Sequence, residues 1–325
     1  MADISLIICS RDRAEVLRQG LQALEPEALA RFDVEVLLVD SASSDATAEV
    51  MRAYAAKAPH PVTCLRAEQP GVARAQNLAL RQARGELMVF TDDDCRLAPD
   101  FFDALAAGFD RSRFDFGGGR IVHGEADADP GMAATSWLAE DEVMVIPPRR
   151  MMYTGTIQGA NMFAKRQVFQ RIGGFSELLG PGSVVGSGAD TEFSMRACMT
   201  GFRGVMLGRV VVSHHHGKSE GSAEAQQVMA RYARGRGGYY ASLITLGAQE
   251  GFGYWRRWMG EGRGRPNPQD VERLVGEFRA AADYMEALLQ CPPPARPGWR
   301  GDYPDVIPQA RAVQPAPAAG SERVS

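Results

Sequence analysis

Roughly the first ninety residues of the chain alternate between short apolar runs rich in β-branched residues and longer amphipathic stretches. Buried strands are predicted for four of the runs, at residues 4–9, 34–39, 62–66 and 86–91. The stretches between them repeat apolar residues at helical spacing, as Leu17, Leu21 and Leu24 do. This alternation predicts an α/β domain with a mostly parallel central sheet that is flanked by helices on both faces.

Polar residues follow three of these strands at the point where each strand ends. Residues 10–13 (SRDR) follow the first strand and Asp40 follows the second, while Asp92, Asp93 and Asp94 follow the fourth. The carboxyl ends of parallel strands form a common edge at which ligands bind, so we expect the three groups to meet there.

The three adjacent aspartates are the strongest chemical signal in the chain. Their carboxylates repel one another, and a hard divalent cation with oxygen ligands would supply the missing positive charge. Mn²⁺ and Mg²⁺ commonly combine one or two carboxylates with water and substrate phosphate. A solvated acidic turn before a helix near Pro99 is the simpler alternative.

Two other carboxylates each have a structural and a chemical interpretation. Asp40 can accept hydrogen bonds from a ribose or a base, or it can be an ordinary turn residue among serines. Asp190 follows a glycine-rich loop at residues 180–188 and opens a helix predicted to reach residue 200. It can serve as the N-cap of that helix, or it can take a proton from an attacking hydroxyl.

Three consecutive histidines, His214, His215 and His216, end a predicted strand or pair of strands at residues 203–213. Alternation along a strand places His214 and His216 on one face, where a neutral imidazole could complete a metal shell. A surface histidine cluster is the alternative.

Two further strands are predicted in the middle of the chain. One lies at residues 114–122, where the glycines at 117–119 interrupt it, and the other lies at residues 159–164.

The chain becomes helical from about residue 222. One apolar stripe at helical spacing predicts a helix in this region: Val271, Leu274, Val275, Phe278, Ala282, Met285 and Leu289. Arg231, Arg234 and Arg236 form either a solvated helix face or a contact to an anionic group.

These patterns divide the chain into three parts. We predict a catalytic domain at residues 1–216, a helical appendage at 217–291 and a disordered tail rich in proline and alanine at 292–325.

The overall composition excludes several classes of protein. The net charge of −4 gives no basic field for nucleic acid. The five cysteines are scattered without a CxxC pair, which argues against a disulfide framework or a zinc site. No apolar run approaches the roughly 20 residues of a membrane span, so we expect a cytoplasmic protein, with peripheral contact at the inner membrane face left open.

Six segments in order resemble the family-2 glycosyltransferases of the GT-A fold. They are residues 5–13 (SLIICSRDR), 39–47 (VDSASSDAT), 71–77 (GVARAQN) with 83–94 (ARGELMVFTDDD), 173–175 (GGF), 188–196 (GADTEFSMR) and 211–216 (VVSHHH). The resemblance covers residues 3–216 and implies a GT-A fold whose nucleotide-binding half is Rossmann-like. The sequence differs from the family pattern at Ser41, Gln76 and Ala189.

The resemblance also implies an activity and a set of roles. It implies inverting transfer of a sugar from a nucleotide-diphosphate donor, UDP-linked by expectation, to a hydroxyl of a glycan, lipid or peptide. Asp190 would be the general base. Asp92, Asp94 and either His214 or His216 would hold Mn²⁺ or Mg²⁺. The donor would be bound by Ser10, Arg13, Asp40, Arg74, Asn77, Asp92 and Asp93.

Two rival functions remain at the level of sequence. A sugar-phosphate nucleotidyltransferase of the same fold would have a glycine-rich opening loop, which this chain lacks. A degenerate, non-catalytic sugar-nucleotide-binding module is the rival from another class, because Gln76 and Ala189 replace residues that the family usually has.

Overall fold

The computed structural model describes residues 3–124, 138–215, 223–248, 250–260 and 268–291. The strands in these ranges are β1 (Ile4–Ser10), β2 (Val34–Asp40), β3 (Val62–Arg66), β4 (Leu87–Asp92), β5 (Cys95–Leu97), β6 (Phe116–His123), β7 (Val143–Ile146), β8 (Met162–Lys165) and β9 (Gly204–His214). A 3-10 turn, Gly159–Asn161, precedes β8. The helices are α1 (Ala14–Gln22), α2 (Pro26–Arg31), α3 (Thr47–Ala55), α4 (Val72–Gln82), α5 (Phe101–Gly108), α6 (Arg166–Ile172), α7 (Ala189–Thr200), α8 (Ala223–Thr245), α9 (Glu250–Gly260) and α10 (Pro268–Leu289).

One sheet runs through the described part of the chain in the order β3-β2-β1-β4-β8-β6-β9-β5, with β7 paired to β9. The strands β3, β2, β1 and β4 are parallel, as the alternating sequence predicts. Beyond them the sheet is mixed, because β8 is antiparallel to both β4 and β6 whereas β6 and β9 are parallel. The predicted α/β class is confirmed, and its parallel part is the N-terminal half.

The sheet is covered on both faces. Ile7, Leu37 and Phe90 point into one apolar cluster, whereas their neighbours Leu6 and Leu38 point into the other. Side chains alternate across a strand, so a strand buried on both sides appears in the sequence as a continuous apolar run. This is why the first, second and fourth runs could be recognised as strands.

The three glycines at residues 117–119 do not interrupt β6, contrary to the sequence-based expectation. A side chain at Gly117 would overlap the carbonyl oxygen of Val205, and one at Gly119 would overlap that of Val210. The register between β6 and β9 also shifts at this point, between Gly119 and Arg120. The glycines therefore let two strands approach closely at an irregular pairing.

The C-terminal helices pack on the body of the protein. Tyr239, Tyr240 and Trp255 belong to the same apolar cluster as Ile7 and Phe90 of the sheet. The division of the chain at residues 216 and 217 stays a prediction, and the tail at 292–325 lies outside the described residues. None of the described helices has the length and apolarity that crossing a membrane requires.

The helix predicted from the apolar stripe is present as α10, and most of the stripe is exposed. Val271 is 49% exposed, Phe278 52% and Leu289 82%. The inward face instead centres on Glu277, which is fully buried and accepts hydrogen bonds from Trp255 Nε1 (2.8 Å), Arg273 (2.9 Å) and Arg236 (3.1 Å). Polar pairing of this kind allows a charged residue to occupy a core position, which hydrophobic periodicity cannot reveal.

Candidate active site

The carboxyl ends of β1 and β4 meet at the aspartate triplet. Ser10 at the end of β1 donates a hydrogen bond of 2.5 Å to Asp93 Oδ2. Arg13 bridges Asp93 and Asp94. One of its guanidinium nitrogens lies 2.8 Å from Asp93 Oδ1 and the other lies 2.7 Å from Asp94 Oδ2. The parallel pairing of β1 with β4 brings these groups together, as expected from the order of the motifs.

The three carboxyls differ in their affinity for protons. Burial, together with the charge of Asp94, raises the pKa of Asp92 to about 7. Burial also raises the pKa of Asp93, against the opposing charge of Arg13. Burial would raise the pKa of Asp94 too, but hydrogen bonding to His214 and the charge of Arg13 outweigh it and hold that pKa well below its ordinary range. Asp94 is therefore the most firmly ionised member.

His214 at the end of β9 completes the group, with Nε2 3.1 Å from Asp94 Oδ1. Asp92, Asp94, Cys95 and His214 each offer a ligand atom within 4.8 Å of the others. Burial raises the pKa of the Cys95 thiol, which keeps it protonated and unsuited as a ligand. Two carboxylates and an imidazole remain, a donor set that suits Mn²⁺ or Mg²⁺. His216 lies outside the described residues.

Asp40 ends β2 and is 1% exposed. Its Oδ1 accepts a hydrogen bond of 2.8 Å from the backbone amide of Ser43, and its other oxygen pairs with Arg66 at the end of β3. The loops after β1 and β2 are also tied together, because Asp12 accepts a 2.6 Å hydrogen bond from the Ser44 amide. Asp40 thus has the turn-stabilising role that the sequence left open, and it lies at the same sheet edge as Ser10.

Asp190 lies at the second position of α7, after Gly188, which is the N-cap residue. The N-cap interpretation of Asp190 is therefore wrong. Its Oδ2 accepts a hydrogen bond of 2.7 Å from the amide of Gly159, and Oδ1 accepts one of 2.8 Å from Thr191. Burial nevertheless raises the pKa of Asp190, against these hydrogen bonds. The result is a fixed carboxylate with an increased affinity for protons.

Asp92, Asp190 and His214 line one cavity of about 420 Å³. Its other walls come from α4, the glycine-rich loop, the segment before β8, and α8: Val72, Gln76, Thr154, Gly155, Gln158, Gly159, Ala160, Gly180, Pro181, Ser187, Gly188, Ala189, Thr191, Tyr232, Gly235, Arg236 and Tyr239. The helix α8 comes this close because Gly235 packs directly on Ser187. The glycine-rich loop and the C-terminal helix therefore share one wall.

Tyr232 of this wall lies on the arginine-bearing helix for which the sequence left open a contact to an anionic group. Burial and the charges of Asp190 and Asp92 raise its pKa, so its hydroxyl lies within electrostatic reach of both carboxylates. The mixture of arginine and tyrosine on α8 was the available signal. The solvated-face interpretation is wrong for Arg236, which pairs with Glu277, whereas Arg234 pairs with Asp283.

Two predicted donor-binding residues lie elsewhere. Asn77 is fully buried, with hydrogen bonds to both backbone groups of Phe175, at 2.8 Å from its amide and 3.0 Å to its carbonyl. Arg74 pairs with Glu177 at 3.1 Å. Neither side chain lines the cavity, and of the predicted donor-binding residues Asp92 alone is among the described residues that do. Both hold the segment that carries Phe175 against α4, and nothing in their contacts points to a ligand.

The site combines a cluster of side chains able to hold a cation, a buried carboxylate with a raised pKa, and a cavity that members of both line. Such a combination suits a displacement in which a leaving group gains negative charge while a hydroxyl loses a proton.

Comparisons with known proteins identify the family to which the chain is similar. The family described as Glycosyl transferase family 2 matches residues 5–173, which is more than half of the chain. Glycosyltransferase AglE of Haloferax volcanii is 24% identical over 203 residues, covering 61% of this chain and 62% of its own. The glycosyltransferase TarS of Staphylococcus aureus is 27% identical over 115 residues, covering 35% of this chain and 20% of its own. The chain thus spans about three fifths of one relative and a fifth of the other.

Solved structures share the fold. The mannosyltransferase PcManGT of Pyrobaculum calidifontis, solved with GDP-Man and Mn²⁺, has a TM-score of 0.55 at 20% identity, covering 89% of this chain and 76% of that one. TarS residues 1–349 of S. aureus, solved with UDP, has a TM-score of 0.51 at 19% identity, covering 89% and 83%. These likenesses establish the GT-A architecture that the sequence resemblance implied.

Proposed function

The chain belongs to glycosyl transferase family 2, and from that premise we propose that it moves a sugar from a nucleotide-diphosphate donor to an acceptor hydroxyl with inversion at the anomeric carbon. One observation carries the proposal: Asp190 lines the same cavity as Asp92 and His214. A donor held at the triplet and an acceptor held at Asp190 would meet inside that cavity.

Asp190 is the proposed general base. The amides of Gly159 and Thr191 fix its two oxygens, so the carboxylate is positioned before the acceptor arrives. Its raised pKa increases its affinity for the proton of the attacking hydroxyl. Attack by that hydroxyl on the face opposite the leaving nucleotide is a single displacement, which inverts the anomeric configuration.

Asp92, Asp94 and His214 are the proposed ligands of a divalent cation. When bound, the cation would neutralise the charge that develops on the departing diphosphate. Asp94 suits this role because it is held ionised, and His214 is oriented toward it. Ser10 and Arg13 contact the two carboxylate oxygens of Asp93, one each, which supports a positioning role for Asp93 rather than a ligand role.

The donor base would lie at the adjoining sheet edge, beside Asp40. We propose a UDP-sugar, although the two solved relatives named above hold GDP-Man and UDP. Arg66 and Ser43 orient the Asp40 carboxylate, which leaves the rim between β1 and β2 for the nucleoside. The acceptor would enter past Tyr232, Thr154 and Gln158, and a glycan, a lipid or a peptide can each present the required hydroxyl.

An assay of nucleotide release tests the proposal. A panel of UDP- and GDP-sugars is incubated with the full chain and candidate acceptors, with Mn²⁺, with Mg²⁺ or with EDTA. We expect cation-dependent release of UDP and a product of inverted configuration by NMR. Donor binding with the cation but no release for any acceptor would favour the non-catalytic binding module. Undiminished release in EDTA would remove the cation from the proposal.

A further inference from the structure

The exposed stripe on α10 has the spacing of a coiled-coil seam. Six of its seven members, all but Leu274, alternate steps of four and three along the helix and form what we call the α10 seam: Val271, Val275, Phe278, Ala282, Met285 and Leu289. A strict alternation of this kind keeps one narrow apolar seam along two helices that wind around each other. Within the described residues this seam is largely exposed, with Leu289 82% exposed. Phe278 is 52% exposed and packs one side of its ring on Trp255, with the ring centroids 5.4 Å apart.

The two flanks of the stripe differ. Glu272, Arg279 and Glu286 follow the stripe at intervals of seven on the outer flank, and all three are exposed. The inner flank carries Leu274, Ala281 and Leu288, which lead toward the buried face of the helix. Charged residues therefore lie on the outer flank alone, and negative and positive side chains alternate along it.

The charge of the helix argues against a membrane as the occupant. α10 carries five acidic residues against two arginines and has no lysine. Helices that lie on anionic bilayers carry lysine and arginine along the polar face, and an acidic helix is repelled by such a surface. The same charges suit a protein partner with an alternating pattern of its own.

We propose that the α10 seam pairs with the α10 seam of a second copy of this chain, in antiparallel orientation. In an antiparallel pair the outer flanks of the two helices face each other. Placing Phe278 opposite the partner's Leu289, and Ala282 opposite the partner's Met285, brings Arg279 beside the partner's Glu286. Two-fold symmetry repeats that ion pair, so one helix supplies both of its members.

Two other arrangements lose this complementarity. A parallel pair sets the charged flank of one helix against the apolar flank of the other, so that no ion pair forms. An antiparallel pair that overlaps the whole stripe sets Glu272 beside the partner's Glu286 and Arg279 beside the partner's Arg279, which repels. The charges on the outer flank thus exclude full overlap. A shift in the opposite direction would also form an ion pair, between Arg279 and the partner's Glu272, but it would leave Met285 and Leu289 unpaired. The register given above covers these two side chains, of which Leu289 is 82% exposed. The inference is independent of the proposed transferase activity.

Sedimentation of the full chain over a roughly hundredfold concentration range tests the pairing. We expect a species of twice the 35.2 kDa of one chain that dissociates on dilution. Met285→Glu and Leu289→Glu, at exposed members of the seam, should each give the mass of one chain, with an unchanged circular dichroism spectrum. Leu289 lies at the end of the helix, so its variant separates loss of pairing from loss of folding.

A charge exchange tests the register. Arg279→Glu and Glu286→Arg should each weaken association by about tenfold, because each replaces two attractive contacts by two repulsive ones. The double variant should return to within about threefold of the unmodified chain. A chain that is monomeric throughout, or single exchanges without effect, would overturn the proposal. So would flotation of the chain with phosphatidylglycerol vesicles that Leu289→Glu abolishes, since that outcome identifies a membrane surface.

Discussion

The backbone amide of Gly159 donates a hydrogen bond of 2.7 Å to Asp190 Oδ2. The bond joins the 3-10 turn before β8 to the first turn of α7, so the proposed base is held by two segments that are distant in sequence. Because the amide belongs to the backbone, the position of the carboxylate depends on the fold rather than on a partner side chain.

Replacing Asp190 by Asn should lower turnover by about 10²–10⁴-fold, because general-base assistance is worth that much. Cation-dependent donor binding should persist, since Asp190 is not among the proposed ligands. Nucleotide release measures the first effect and a donor-induced thermal shift the second. Glu86→Gln, at an exposed carboxylate, is the matched control and should leave both unchanged. Full turnover in Asp190→Asn would remove the base assignment.

Replacing Asp94 by Ala should abolish the increase in donor affinity that Mn²⁺ produces. Asp94 is the carboxylate that His214 and Arg13 hold ionised, so its loss removes the most charged ligand of the cluster. Isothermal titration with UDP, with and without Mn²⁺, measures the effect. Retention of the Mn²⁺ enhancement would contradict the assignment of the ligands. Asp283→Ala, at a carboxylate of α10 distant in sequence, serves as the control.

The pH dependence of kcat/KM should show an acid limb that lies above the ordinary aspartate pKa of 3.8. Burial raises the pKa of Asp190, and a base must be unprotonated to act, so activity falls as the pH falls through that raised value. The profile should be measured at saturating cation. An acid limb in the ordinary aspartate range would show that another group limits the rate.

Replacing Glu277 by Ala should destabilise the chain by about 3–5 kcal/mol, the usual cost of removing one partner of a buried ion pair. The substitution leaves Arg236, Arg273 and the indole N–H of Trp255 without their shared acceptor. Urea unfolding measures the change. Glu49→Ala, at a carboxylate 66% exposed, should shift the free energy of unfolding by less than about 1 kcal/mol. Equal effects of the two variants would contradict this account.

The sequence could predict the part of the site that depends on one sheet edge. Ser10, Asp40 and the aspartate triplet each follow a parallel strand, so strand pairing alone brings them together. Asp190 and His214 could be named from motifs, but their meeting with the triplet depends on the mixed half of the sheet. Local patterns do not fix the order in which β8, β6 and β9 pair.

Other features could not be predicted from the sequence, and the structure shows the physical reasons. The α10 stripe has the period of a core helix, and the same period serves a helix that pairs with another chain. Glu277 occupies the inward position because three donors satisfy it, and those donors come from three helices. Tyr232 contributes to the cavity wall only because Gly235 lets α8 approach Ser187. Each depends on a tertiary contact that no single segment encodes.

The position of β9 has a consequence for synthesis on the ribosome. β5 at residues 95–97 and β7 at residues 143–146 both pair with β9, and β9 ends at His214. The parallel half of the sheet can therefore assemble early, whereas these two strands must wait until more than half of the chain has been made. Asp92 and Asp94 emerge long before His214 does. The nascent chain consequently has no complete cation cluster until β9 has joined the sheet.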